Sequence, residues 1–434
     1  MNAIVKTIVV VAAALILTLL VLKGDRSGFA AASFLILLPI FFARPYYYFI
    51  FFILVRPIVD LTIRGNLPGA NLSSLMAVPL IFLCTKDILL NKSYLQIVAH
   101  SGVLKKINFI FGLLFMTFIM SFAFTKHPLV SLTDLMRFIA TIVSVNYGVV
   151  HFSSSNKKKD ELIKLVLLSS LVPLAFGFKQ LITYTGIQET GYNRLYGTFG
   201  HCNVYAQYLA MTIFLAFHIF SGAPKKIFLR RATALLIMLS VVSFYFTYTR
   251  TLWIAFTMAV LVYIFMKPGF AKKALYLGIT LAVLGAFYSQ IKERFTSEAD
   301  KQSGRTNSWE WRMEVWRDSI KDLEKHPILG NGLGMFQYDT GVMAHNDFIR
   351  TAYESGIPSA LIFFVFFVFL FLYSVGVSRK APETDKAYFH LAASLVTVLF
   401  ISSLAVNTLR GTVIIFYYFS IIAVLIHDTR KRTA

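Results

Sequence analysis

The sequence predicts an all-α, polytopic membrane protein with about twelve to fourteen transmembrane helices and one large periplasmic loop. Of its 434 residues, 57% are hydrophobic and only 15% are charged, whereas a typical soluble domain is roughly 25% charged. So few polar side chains could not cover the surface of a soluble globule. The composition likewise excludes disordered, collagen-like and disulfide-rich secreted proteins.

The apolar residues collect in long stretches, and a helix needs about 20 such residues to cross a bilayer. Candidate spans lie near 3–22, 29–43, 46–61, 73–84, 107–124, 129–151, 162–182, 204–221, 232–249, 251–266, 274–290, 357–376, 387–406 and 412–427. The third and fourth are short, so the predicted number of spans is a range. The first has no small-residue cleavage site and is expected to be a retained helix instead of a signal peptide.

Lysine and arginine cluster in alternate short loops, which sets the expected orientation. When the spans are counted off, one side receives the basic segments Lys86–Lys106, Lys157–Lys159, Lys225–Arg231, Lys267–Lys273, Arg379–Lys386 and Arg430–Arg432. We expect that side, with both termini, to be cytoplasmic. The net charge of +21 is then explained by this topology. The lipid bilayer is an expected partner, and nucleic acid is not.

The opposite side carries the largest loop, residues 291–350, within a single integral membrane domain spanning 1–434. Residues 291–343 contain 9 acids and 8 bases, so 9 of the 21 acids in the chain lie in one nearly neutral segment. Trp309–Glu324 has the spacing of an amphipathic helix whose apolar positions are Trp309, Met313, Trp316 and Ile320. His326-Pro327 and the sequence GNGLG then predict a turn.

Several polar side chains also fall on this opposite side. They are Arg64, Arg194, His201, Asn203, Arg250, Arg312, His345, Asn346 and Arg410. Arginines here run against the positive-inside bias, so each needs another explanation. One is snorkelling or pairing with a nearby acid. The other is an anion site at the membrane edge, where guanidinium groups bind and stabilise a departing lipid diphosphate.

His345 is the candidate proton acceptor. Histidine titrates near neutrality and could remove the proton of an attacking sugar hydroxyl; the alternative is a histidine satisfied at a helix start. No metal site is expected, because no spacing of His, Cys, Asp or Glu matches one. No cofactor is expected either, since neither a P-loop nor a dinucleotide-binding glycine pattern is present.

Residues 345–359, HNDFIRTAYESGIPS, carry a family resemblance. His345, Asn346 and Gly356 fit the pattern of the O-antigen ligase and polymerase family of bacterial envelope glycosyltransferases, and Ser359 stands where Gly, Thr or Val is usual. Three further segments resemble the family in the right order over roughly 190–375. They are RLYGTFGHCN, TYTRTLW and RMEVWRDSIKDLEKHPILGNGLGMF.

This resemblance implies transfer of a glycan from undecaprenyl diphosphate to an acceptor hydroxyl at the periplasmic side of the inner membrane. It implies an inverting, metal-independent reaction in which Arg194 and Arg250 hold the diphosphate, Arg312 helps, and His345 activates the acceptor. The remaining polar residues are further candidate substrate contacts: Arg64, Asn346, His201, Asn203 and Arg410.

The resemblance leaves two acceptors open. A ligase would pass the finished polymer to lipid A core, whereas a polymerase would pass the growing polymer to the next lipid-linked repeat unit. The His-Asn spacing to Gly356 favours the ligase, and a protein O-oligosaccharyltransferase is a more distant option. A lipid-linked glycan transporter is the rival from another class. It is disfavoured because the spans hold few charges, and Asp134 with Arg137 reads as a structural pair one helical step apart.

Overall fold

The computed structural model describes residues 41–59, 72–189, 192–222, 227–267, 308–408 and 412–427, with isolated positions at 278, 285, 288 and 292. Within these ranges the order is α1 (Pro45–Val59), α2 (Leu72–Leu90), α3 (Lys92–His100), α4 (Gly102–Phe122), α5 (Pro128–Phe152), α6 (Asn156–Ser169), α7 (Leu171–Thr183), β1 (Ile187–Glu189), β2 (Tyr192–Arg194), α8 (Cys202–Gly222), α9 (Ile227–Tyr245), α10 (Arg250–Met266), α11 (Ser308–Leu323), α12 (Phe336–Thr340), α13 (Asp347–Lys380), α14 (Glu383–Ser403) and α15 (Thr412–Ile426). The strands form one short antiparallel hairpin.

The predicted all-α, polytopic membrane fold is confirmed. Among the described residues, seven helices are long and apolar enough to cross a membrane: α4, α5, α6 with α7, α8, α9, α13 and α14. The helices α1, α10 and α15 are shorter but also apolar. The predicted spans 3–22, nearly all of 29–43 and most of 274–290 lie outside the described residues.

Short polar side chains begin several of these helices. The side chains of Asn91, Ser101 and Ser155 accept hydrogen bonds from backbone N–H groups in the first turns of α3, α4 and α6. A helix leaves its first N–H groups without intrahelical partners, so these oxygens stabilise the chain where each apolar stretch starts.

The helices share one buried core that is rich in aromatic rings. Phe111, Phe366 and Phe419 meet with ring centroids 5.0 to 6.0 Å apart, which joins α4, α13 and α15. Large apolar side chains such as Phe228, 85% exposed, lie outside this core. In a membrane protein such surfaces contact lipid, where they cost no hydration free energy.

One end of the bundle, here called the lysine face, joins the start of α6, the start of α14 and the end of α15. The buried Lys159 side chain donates from Nζ to the carbonyls of Leu425, at 3.0 Å, and His427, at 3.1 Å. Asn156 donates from Nδ2 to Asp385 Oδ1 at 2.8 Å. The basic segments 157–159 and 379–386 therefore lie at one face, as the charge pattern predicts.

The other end, here called the site face, contains the starts of α5, α8, α10 and α13 and the end of α14. The Ser121 hydroxyl, at the end of α4, donates to the Glu354 carbonyl in α13. Ser131, near the start of α5, donates to the Leu333 carbonyl in the glycine-rich turn. The large loop is thus held against the ends of membrane helices.

Helix α13 is broken at Gly356, whose φ of 85° is left-handed. Residues 327–332 lie alongside the break: Asn331 and Gly332 donate their N–H groups to the carbonyls of Tyr353 and Glu354, at 2.8 and 3.1 Å. A Cβ on Gly356 would overlap the Ile328 carbonyl. The sequence GNGLG is therefore a turn, as predicted, and it also satisfies carbonyls that the helix break exposes.

We expect Gly356→Ala to destabilise the protein, because the new Cβ meets backbone and an L-residue is strained at this φ. The free energy of unfolding should fall by roughly 1–3 kcal/mol. Thermal unfolding in detergent measures it. Gly376→Ala is the matched control, because it lies in the same helix and a Cβ there meets nothing within 4 Å. Equal melting temperatures for the two variants would contradict this account of the break.

Candidate active site

The segment 404–408, which follows α14, contacts the start of α13 at two points. Asn407 accepts the backbone N–H of His345 on its Oδ1 at 2.9 Å. The backbone N–H of Thr408 donates to Asp347 Oδ2, also at 2.9 Å, and Asp347 is fully buried. The two contacts lie on both sides of Asn346, at His345 and Asp347, so this segment fixes the backbone of the candidate base and of the first helical residue.

His345 has a left-handed backbone, with φ of 50°. The indole Nε1 of Trp316 donates to the preceding carbonyl, that of Ala344, at 2.6 Å. The ring of Trp311 lies 6.0 Å from the imidazole, edge-on. A bulky residue held in this sparsely populated conformation costs free energy, and such strain concentrates at functional sites. The surrounding contacts therefore hold the backbone of His345 in this strained conformation, with the imidazole beside the Trp311 ring.

Asn346 is the N-cap of α13, and its Oδ1 accepts the N–H groups of Phe348 and Ile349 at 2.9 and 3.1 Å. We expected Asn346 as a substrate contact, and the structure shows a capping role for its side-chain oxygen. Capping places the start of the helix directly after His345.

Arg194, at the end of β2, is 7% exposed. Its Nε donates to the Thr247 carbonyl at 3.0 Å, and its Nη2 lies 3.3 Å from Asn203 Oδ1 and 3.4 Å from Thr249 Oγ1. These uncharged oxygens orient the guanidinium. Two of them come from the residues immediately before Arg250, the first residue of α10. The structure thus brings Arg194 and Asn203 together and places the backbone of Arg250 next to them, directly after Thr249.

The turn after Arg194 is built around Gln180. Its Oε1 accepts the N–H groups of Tyr196 and Gly197, at 3.0 and 2.9 Å, and its Nε2 donates to the Gly197 carbonyl at 2.7 Å. Gly197 has φ of 56°, and a Cβ there would lie 2.9 Å from the Tyr205 ring. The glycine therefore allows the chain to pass closely over α8, which places Arg194 beside Asn203.

Arg312 points to the same segment as His345, because its Nη1 donates to the Ala405 carbonyl at 3.2 Å. The predicted amphipathic helix around it is confirmed as α11. Of its predicted apolar positions, Trp316 is half-buried, whereas Met313 is 42% and Ile320 is 49% exposed. Among the side chains described in α11, those of 311–323, the buried ones are Ser319 and Leu323, so the helix packs through a face that is partly polar.

Helix α8 contacts both Arg194 and the segment 404–408, which holds the backbone of His345. Gln207 donates from Nε2 to Thr408 Oγ1 at 2.6 Å and to Ser402 Oγ at 2.9 Å. Asn203 lies one turn earlier on the same helix, a rise of about 6 Å. Helix α8 therefore contacts Arg194 through Asn203 and, one turn later, contacts Thr408 through Gln207, and Thr408 in turn donates to Asp347 at the start of α13.

Sequence reasoning missed four of these residues: Gln207, Asp347, Asn407 and Thr408. Asn407 and Thr408 belong to the NTLRG segment that was singled out only for its arginine. The polar pair Asn-Thr at a span end was the available signal.

The remaining predicted site residues are placed as follows. His201 is exposed, and its Nδ1 accepts the N–H of Asn203 at 3.1 Å, so its ring caps the first turn of α8. Arg64 and Arg410 lie outside the described residues. In the described part of the chain, no three side chains of His, Cys, Asp or Glu are grouped so that they could hold a metal ion.

A buried charge network lies beneath the site. Arg350 donates from Nε to Glu354 and from Nη2 to Asp134, both at 2.9 Å. Asp134 also accepts from Arg137 at 2.6 Å, which is the predicted structural pair. The network ties the first turns of α13 to α5.

Residues 234–364 match the family model described as O-antigen ligase. The match spans α9, α10, α11, α12 and the first half of α13, and it includes Arg250, Arg312 and His345. It confirms the predicted resemblance over this range. No curated protein sequence matches the chain significantly.

Proposed function

We propose that the protein, whose residues 234–364 match the O-antigen ligase family, transfers a glycan from undecaprenyl diphosphate to an acceptor hydroxyl. One observation supports this most: the segment 404–408 receives both Arg312 and His345, while the same segment contacts the helix that orients Arg194. Fixed cations and an imidazole at one membrane edge are what the departure of a lipid diphosphate requires.

In this proposal Arg194 and Arg250 hold the diphosphate, with Arg312 beside it. His345 accepts the proton of the acceptor hydroxyl as its oxygen attacks the anomeric carbon. The bond from that carbon to the phosphate oxygen breaks, and the guanidinium groups stabilise the charge on the leaving diphosphate. A single displacement inverts the anomeric centre, and we expect it to be metal-independent because fixed arginines supply the positive charge.

We place the site face toward the periplasm, in the inner membrane. The lysine face supports this orientation, because basic loops are retained in the cytoplasm. The polar residues of the site gather at the ends of helices, whereas a transporter needs its charged residues near the bilayer midplane. Transfer at the membrane surface is therefore favoured over transport.

His345→Asn should abolish transfer, since Asn tolerates the left-handed backbone but cannot act as a base. General-base catalysis contributes about 100-fold or more. The measurement is the surface polysaccharide of complemented cells, with protein abundance checked by immunoblot. His127→Asn is the control, because that ring packs on Tyr338 at the same face, 4.7 Å between centroids. Normal polymer in the His345 variant would refute the base assignment.

Arg250→Lys keeps the charge and removes the bidentate fork, so transfer should fall about tenfold to a hundredfold. Transfer is assayed with purified protein and a lipid-linked glycan. Arg230→Lys controls for the loss of a guanidinium, because Arg230 lies in the first turn of α9 at the opposite end of the bundle. If both variants transfer equally well, Arg250 only snorkels.

The acceptor is tested by the polysaccharide ladder of a deletion strain. We favour the ligase, which predicts that lipid A core loses all polymer while lipid-linked polymer accumulates. A single repeat unit attached to the core would instead show that the protein is a polymerase.

A further inference from the structure

The two arginines of the proposed diphosphate site each follow a tyrosine by two residues: Tyr192-Asn193-Arg194 in β2 and Tyr248-Thr249-Arg250 before α10. The two tyrosine rings meet, with centroids 4.6 Å apart and planes tilted by 40°. Residues two apart in a strand lie on the same face, so Tyr192 shares a face of the hairpin with Arg194. The arginine pair therefore has an aromatic pair beside it.

Two more rings extend this aromatic pair. Tyr245 lies 5.8 Å from Tyr248, and it stacks on Trp253 at 5.7 Å with planes only 6° apart. All four side chains are partly exposed. We call these four residues, Tyr192, Tyr245, Tyr248 and Trp253, the aromatic platform.

Tyr248 occupies a position that does not suit a tyrosine. Its φ of 49° is left-handed, a conformation in which Gly or Asn is favoured and an aromatic residue is strained. Its neighbours Thr247 and Thr249 already supply the oxygens that orient Arg194. Glycine or asparagine would relieve the strain of this turn. The geometry of the turn therefore does not explain the tyrosine, and the aromatic ring needs another explanation.

We propose that the aromatic platform binds the first sugar ring of the lipid-linked glycan. This inference rests on the proposed function, in which Arg194 and Arg250 hold the diphosphate. That sugar is bonded directly to the diphosphate, so it must lie next to the two arginines. Aromatic faces pack against the C–H groups of a pyranose, and the phenol groups of the tyrosines can bond its hydroxyls.

A polyprenyl chain fits this position less well. The platform lies at the adjoining ends of α9 and α10 and on the hairpin. Exposed apolar side chains that suit a lipid tail lie further along those helices, at Met238 and Met258. Sugar and lipid then occupy opposite sides of the diphosphate, as the covalent order of the donor requires.

The test compares two probes on purified full-length protein in nanodiscs: polyprenyl diphosphate, and the same lipid carrying one N-acetylhexosamine. Wild type should bind the glycosylated probe more tightly. Tyr248→Asn suits the left-handed turn and removes the ring, so it should reduce this preference by about threefold to tenfold. Tyr248→Phe should restore most of it. Tyr184→Asn, at the other left-handed tyrosine, should leave it unchanged because Tyr184 lies outside the platform.

Two results would overturn the proposal. Equal weakening of both probes in Tyr248→Asn would assign the ring to the lipid or the diphosphate, and unchanged binding would leave it a structural role. If Tyr248→Asn does not fold, Trp253→Leu is measured with the same expected loss of preference. Failure of wild type to bind either probe would instead refute the proposed function itself.

Discussion

The contact between the segment 404–408 and the start of α13 is the interaction on which the site depends. Asn407 and Thr408 hold the backbone on both sides of Asn346 through His345 and Asp347. The same segment receives Arg312 and the α8 side chain Gln207. Because this segment directly follows α14, the end of that helix sets the positions of Arg312, of α8 and of the backbone at His345.

The position of α13 also depends on the buried charges around Arg350. Arg350, Asp134 and Glu354 each have side chains no more than 11% exposed, and charges removed from water must be paired. Removing one partner of such a pair costs about 3–5 kcal/mol. The network therefore allows one docking of α13 against α5. That docking sets where His345 stands, because the helix begins two residues later.

Much of the fold could be predicted, because span length and charge bias act locally along the chain. The order of motifs also predicted that Arg250 and His345 belong to one family segment. The contacts that bring residues together could not be predicted: Asn407 meets His345 across 62 residues, with no periodicity to mark it. The spacing predicted the helix α11 but not the exposure of Met313 and Ile320, because an apolar side chain in a membrane protein can be stable while exposed.

A structure of the protein in nanodiscs with bound undecaprenyl diphosphate, determined by electron cryomicroscopy, tests the central claim most directly. The account predicts phosphate density within hydrogen-bonding distance of the Arg194 and Arg250 guanidinium groups, with the terminal phosphate on the side of His345. Density for the diphosphate at the lysine face, or at the site face without contact to either arginine, would contradict it.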